Sequence, residues 1–234
     1  MANWTEEEIH MDLTGFAFGI RVNKSFYIED KLGAITDYIL YTKGSEFNPN
    51  VFPQVQDHGS VKVLCNDRNN NRFTINHSDF IFDYNIKDSF DSEFDKFLSS
   101  YSSIITKRLF KEFGIRNILR FGFIIRAKSK DGDELTQKVD ALVKDKYPKF
   151  NGDSLAIRFN VKEKKPLKIM GEITEDFDNT IVTYDRADEN SPLMFSVDYQ
   201  KYFKPELGDI SEAPQGFEEF CRSCLKNYKA TYCK

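Results

Sequence analysis

Residues 120–126 read Arg-Phe-Gly-Phe-Ile-Ile-Arg and echo the Gly-Phe-Ala-Phe-Gly-Ile-Arg of residues 15–21. Both runs alternate apolar with small or polar residues at period two, the spacing of a strand with one buried face. The same order of predicted elements follows each of them. In the first half, a strand over Gly15–Val22 precedes a helix over Lys31–Tyr41. Leu32, Ile35, Ile39 and Leu40 form that helix's apolar stripe, and Lys43-Gly44 supplies a basic last turn and a glycine stop. Ser45–Ser60, with Pro49, Pro53 and Gly59, reads as a long loop. Strands are expected at Val61–Cys65, Arg72–Asn76 and Phe80–Ile86, then a long helix over Ser92–Phe113 ended by Gly114.

In the second half, Asn117–Ala127 is the leading strand and Asp131–Lys146 the helix, stopped by Pro148. Strands are expected at Leu155–Val161, Leu167–Ile173, Thr180–Tyr184 and Leu193–Tyr199, with Lys162–Lys168 as a charged hairpin tip. A last helix covers Pro214–Tyr228, its proline in the first turn, where proline is best tolerated. The pattern predicts an α+β fold of two tandem, similar strand–helix–(three or four strands)–helix halves. They span residues 1–114 and 115–234, as two domains or one continuous domain. The sheet should be antiparallel with helices packed on one face, and an internal duplication is the economical explanation.

Composition supports a packed core and excludes disorder as the main state: 40% of the 234 residues are hydrophobic and 15% aromatic, with 22 Phe and 11 Tyr. The net charge of −4 conceals a segregation along the chain. Residues 1–100 carry 9 basic and 16 acidic side chains, residues 101–170 carry 17 and 8, and residues 171–234 carry 7 and 13. A basic centre between acidic ends either pairs internally on folding or presents a positive surface to an anionic partner. The acidic start, Met-Ala-Asn-Trp-Thr-Glu-Glu-Glu, lacks the features of a signal peptide, and no apolar run is long enough for a membrane span. The four cysteines are too few for a secreted disulfide scaffold. A cytoplasmic location without a membrane partner is expected.

The candidate site is the polar side of the basic strands. On Asn117–Lys128 the apolar side is read as Leu119, Phe121, Phe123, Ile125 and Ala127, which leaves Arg116, Arg120, Arg126 and Lys128 opposite, around Gly122. On Leu155–Lys162 the same side carries Arg158, Asn160 and Lys162, and on the first strand Arg21. Guanidinium forks on one sheet face can hold phosphate or carboxylate bidentately. The alternative is an ordinary solvated face, with Asp83, Asp185 and Asp198 neutralising the arginines. Stacking of nucleobases needs accessible aromatics, and most aromatics here fall on the apolar phase.

Other chemistry is thinly supported. Cys221-Arg222-Ser223-Cys224 is a C-x-x-C inside a predicted helix, with no second ligand pair beside it and not at the helix start that redox chemistry expects. His10, His58 and His77 are scattered, and no nucleophile-elbow, phosphate-loop or dinucleotide motif is present. No catalytic residue, cofactor or metal is assigned.

The stretch from the predicted hairpin through the long helix into Arg-Phe-Gly-Phe-Ile-Ile-Arg resembles an uncharacterised, sporadically distributed bacterial family. That family has a long helix followed by a strand with an Arg-Leu-Gly-type core. Its late order is similar too, with strands, then Met194–Tyr199, then a closing helix. The resemblance implies no known reaction. The family's patchy distribution points to mobile-element or phage-defence genes, and so to a component of a bacterial multi-protein system. The halved order also resembles the duplicated saddle of the TATA-binding protein, a likeness of fold that leaves function open. The leading expectation is a non-catalytic binding or assembly protein that engages a protein partner, or itself, through a sheet face or strand edge. The alternatives are nucleic-acid or nucleotide binding on the arginine face and, third, an enzyme with an unrecognised site.

Overall fold

A computed structural model describes residues 11–129, 134–149, 154–169, 172–188, 191–208 and 211–232. The first half contributes strand β1 (Met11–Val22), helices α1 (Phe26–Asp30) and α2 (Leu32–Tyr41), strands β2 (Gln54–Asp57), β3 (Val61–Asn66), β4 (Asn71–Asn76) and β5 (Asp79–Asn85), and a long helix. That helix begins as α3 (Phe90–Ser100), widens into a π-helix over Tyr101–Leu109, and ends in a single α turn, α4 (Phe110–Glu112). The second half contributes β6 (Ile118–Ser129), α5 (Glu134–Lys146), β7 (Leu155–Ile169), β8 (Glu172–Arg186), β9 (Met194–Leu207) and α6 (Ala213–Tyr232). Among the described residues all nine strands join one antiparallel sheet in the order β2-β3-β4-β5-β1-β6-β9-β8-β7. The fold is α+β with the helices on one face, as the alternation of the strands requires.

The two leading strands pair with each other at the centre, with Phe18 opposite Phe123 and Gly19 opposite Gly122. Each contains one unmatched residue, Thr14 in β1 and Leu119 in β6, and each bulge falls immediately before the echoing heptapeptide. A bulge bends its strand and adds local twist. The bulge at Leu119 also corrects the expected phase of β6: Ile118, rather than Leu119, lies fully buried on the helix side.

Phe18 shows why the aromatic content matters. Its ring lies within 5.1–6.0 Å of Phe16, Phe123, Tyr101, Phe94 and Phe217, which come from β1, β6, the long helix and α6. Residues from both halves therefore share the principal core. The π-helical stretch lies in this layer with Tyr101 and Ser102 buried; Tyr101 Oη donates to the Phe80 carbonyl at 2.5 Å and Ser102 Oγ to the Pro214 carbonyl at 2.9 Å.

Several boundaries differ from expectation, among them those of the first long loop and of the last strands. The loop assigned to Ser45–Ser60 contains β2, four exposed residues held by backbone pairing to β3, which hydrophobic periodicity cannot reveal. Lys162–Lys168 is not a hairpin tip: β7 runs through it to Ile169, with Pro166 paired to Glu175. Proline is admissible there because β7 is an edge strand. Leu167–Ile173 is accordingly the end of β7 and the start of β8, so the second half has three strands after its helix. The helix start at Asp131 and the cysteine at 233 lie outside the described residues. Among the described residues, no helix is long and apolar enough to cross a membrane.

Candidate functional site: the open sheet face and its free edge

The face away from the helices is built by the second phase of every strand. At its centre β1 carries only small residues, Gly15, Ala17 and Gly19, beside Gly122 and Ile124 on β6 and Ile81 on β5. Basic side chains flank this strip, and two of them are tied down. Arg21 grips Asp79 on β5 with both fork positions, at 2.7 and 3.3 Å. Burial alone would raise the Asp79 carboxyl. Hydrogen bonds from Arg21 and Ser78, with the Arg21 charge, outweigh it and hold the group below its usual range. Arg126 reaches from β6 across β1 to β5, where Nη2 donates to the Asp83 carboxylate at 2.5 Å, the Tyr84 carbonyl at 2.9 Å and Asn85 at 3.3 Å. A cavity of about 420 Å³ opens beside it, bordered by Arg72, Asn70 and Met194.

A different arrangement occupies the second half of the face. Tyr202 on β9 stacks on Phe177 of β8, centroids 4.3 Å apart and planes 13° apart. The Arg120 guanidinium lies 5.7 Å from the Tyr202 centroid and the Lys162 ammonium 5.5 Å from that of Phe177. Cation, two rings and cation form a four-membered ladder across the strands. Beside it runs a polar chain in which Gln200 Oε1 accepts from Tyr202 Oη at 2.9 Å and from Asn179 Nδ2 at 3.0 Å, while Gln200 Nε2 donates to Asp198 at 2.6 Å. Burial pushes the Asp198 carboxyl up, against the Gln200 hydrogen bond and the Arg120 and Arg158 charges, which lower it.

The six expected site residues therefore separate. Arg120, Arg126 and Lys128 lie on β6 on the open face, and Arg158 and Lys162 lie on β7, three strand spacings away at roughly 14 Å. Arg116 is not on the sheet; it precedes Ile118, with Asn117 in the left-handed region at φ 60° and the Leu119 bulge between it and the face. Phe177, Asn179, Gln200 and Tyr202 were missing from the sequence-derived set because their strands were expected to start at Thr180 and end at Tyr199. The signal was present in the continued alternation of Ser196, Asp198, Gln200 and Tyr202.

The two edges of the sheet are unequal. Among the described residues neither β2 nor β7 has a strand on its outer side. β2 is four residues long and follows Pro53, a short and polar edge. β7 is 15 residues long, and its first part, Leu155–Val161, contains a single charge, Arg158. On its helix side Phe159 and Val161 are each 55% exposed. In the first half the strands inward of the edge are covered: Leu64 on β3 and Phe73 and Ile75 on β4 are 0% exposed, while β2 itself is exposed. In the second half α5 is anchored at the strand ends, through Val139 against Leu155 and Leu193. α6 covers the region of Phe121 and Phe195. A groove of about 450 Å³ runs between α6 and the strands, lined by Glu163, Asp178, Lys201 and Glu219 among others.

Cys221 and Cys224 are both on the buried side of α6, and burial raises the Cys221 thiol far above its usual range. Among the described residues no three His, Cys, Asp or Glu side chains gather as metal ligands. The chain matches no protein-family model, and no curated protein matches it.

Proposed function

We propose that this chain is a non-catalytic binding or assembly protein that takes a protein segment as an added strand along β7. The observation that carries this reading is the unprotected first half of that edge. Natural edges are shortened, charged or interrupted by proline to prevent pairing. β2 and the Lys162–Pro166 stretch of β7 follow that rule, whereas Leu155–Val161 does not. A strand laid there would satisfy a row of backbone groups and cover Phe159 and Val161.

The open face supports a protein partner better than a nucleic acid. Both ring faces of the Tyr202–Phe177 stack are already engaged, by each other and by Arg120 and Lys162, so neither ring offers a platform to a base. Arg21 and Arg126 are committed to carboxylates of the same sheet.

Selecting peptides from a random library on the wild-type chain tests the reading. Selected peptides are expected to protect the Leu155–Val161 amides from hydrogen exchange and to lose binding to the Phe159→Lys/Val161→Lys variant. Peptides that bind that variant unchanged and protect β1 or β6 instead would exclude β7 as the docking edge.

A further inference from the structure

The geometry points to an acidic partner strand: we infer that the segment docking on β7 alternates acidic with apolar residues, an inference that rests on the edge reading above. Elsewhere in the sheet three arginines meet carboxylates, while Arg120 lies on the Tyr202 ring. Arg21 has Asp79, Arg126 has Asp83, and Arg186 holds Asp140 at 2.8 and 3.0 Å. On the open side of β7 direct pairing stops. Arg158 stands opposite Thr183 and Lys162 opposite Asn179, neither of them acidic, and the Asp198 charge reaches Arg158 only from β9, two strands in. Both cations are exposed, and neither forms an ion pair among the described residues.

Strand geometry converts this into a pattern. Arg158 and Lys162 are four residues apart on one face, so an added strand would place side chains four apart directly opposite them. Opposite charges there are favourable, and like charges are not. On the other face Ile157, Phe159 and Val161 require apolar neighbours. A second copy fits poorly in the register that covers Phe159 and Val161, because two β7 strands paired about a twofold axis at Asn160 bring Arg158 of each against Lys162 of the other. A polyanion such as nucleic acid could meet the two cations but would leave Phe159, Val161 and the unpaired backbone uncovered.

The full-length chain, isotope-labelled for amide NMR, is titrated with two synthetic peptides of equal length, one alternating valine with glutamate and the other valine with lysine. The glutamate peptide is expected to shift the Leu155–Val161 amides and to bind about tenfold more tightly than the lysine peptide. The Arg158→Glu/Lys162→Glu variant, with an unchanged melting temperature, should reverse that order. Equal binding of both peptides at β7 overturns the acidic pattern while the docking edge stands. If neither peptide moves β7 amides, the edge reading itself fails. A peptide-free dimer that Phe159→Lys dissociates, or an oligonucleotide that displaces the glutamate peptide from β7, overturns the inference in favour of that occupant.

Discussion

The Arg126 guanidinium lies directly over Gly15: a Cβ at residue 15 would come within 2.5 Å of Arg126 Nη2 and 2.6 Å of the Tyr84 carbonyl oxygen. Glycine is required there for space, since its side-chain position is the passage by which a β6 residue reaches β5. Gly15→Ala is expected to destabilise the fold by about 1–3 kcal/mol, the usual cost of overpacking. Gly19→Ala, two residues along the same strand, would meet only Ile81 Cγ1 at 3.9 Å and should stay within about 0.5 kcal/mol of wild type. Thermal denaturation of the two variants side by side checks the contrast.

The same passage divides the basic residues by role. Arg126→Ala leaves Asp83 and the Tyr84 carbonyl without their donor and should cost about 1–3 kcal/mol in urea denaturation. Arg158→Ala removes an exposed side chain with no ion pair among the described residues and should change stability by less than about 0.5 kcal/mol. The reverse order would make Arg158 the structural residue and Arg126 the one free to bind.

That division was not legible in the sequence, although much else was. Alternation at Phe16, Phe18 and Ile20 and at Phe121, Phe123 and Ile125 gave the buried phase of both central strands, because burial on one face imposes period two. Which arginine meets which carboxylate depends on register and strand order: Arg126 and Asp83 are 43 residues apart and separated by β1. β2 was hidden because an exposed edge strand needs only backbone pairing. The charge run of Lys162–Lys168 was misleading because such a run suits a solvated hairpin tip and a charged edge strand equally. Tyr202 and Phe177 lie beyond the expected ends of their strands, on a phase where aromatics are not expected.

The C-x-x-C of α6 should be chemically quiet. Cys221 and Cys224 lie on the buried side of the helix, and burial also raises the Cys65 thiol on β3. In a Cys233→Ser variant, the three remaining thiols should resist a soluble disulfide reagent while the chain is folded and react together in guanidinium. Rapid reaction of Cys221 or Cys224 in the folded protein would restore a redox role to the motif.

Two aspartates on the open face should tune stability with opposite dependence on pH. The Asp79 carboxyl is held low, so it contributes stability that is complete above the unfolded value of about 3.9 and is lost as pH falls through the lower native one. Asp79→Asn should therefore be less stable than wild type at pH 7, with the gap closing only in strong acid. Asp198 is held high by burial, so between about pH 3.9 and its raised native value the unfolded chain binds fewer protons and stability falls as pH rises. Asp198→Asn keeps an acceptor for Gln200 Nε2 and removes the buried charge. Its melting temperature should match wild type near pH 4 and exceed it at pH 7.5. Calorimetric melts of both variants between pH 3 and 7.5 distinguish the two cases, and an Asp198→Asn variant less stable than wild type at pH 7.5 would mean that Arg120 and Arg158 depend on that carboxylate more than its burial costs.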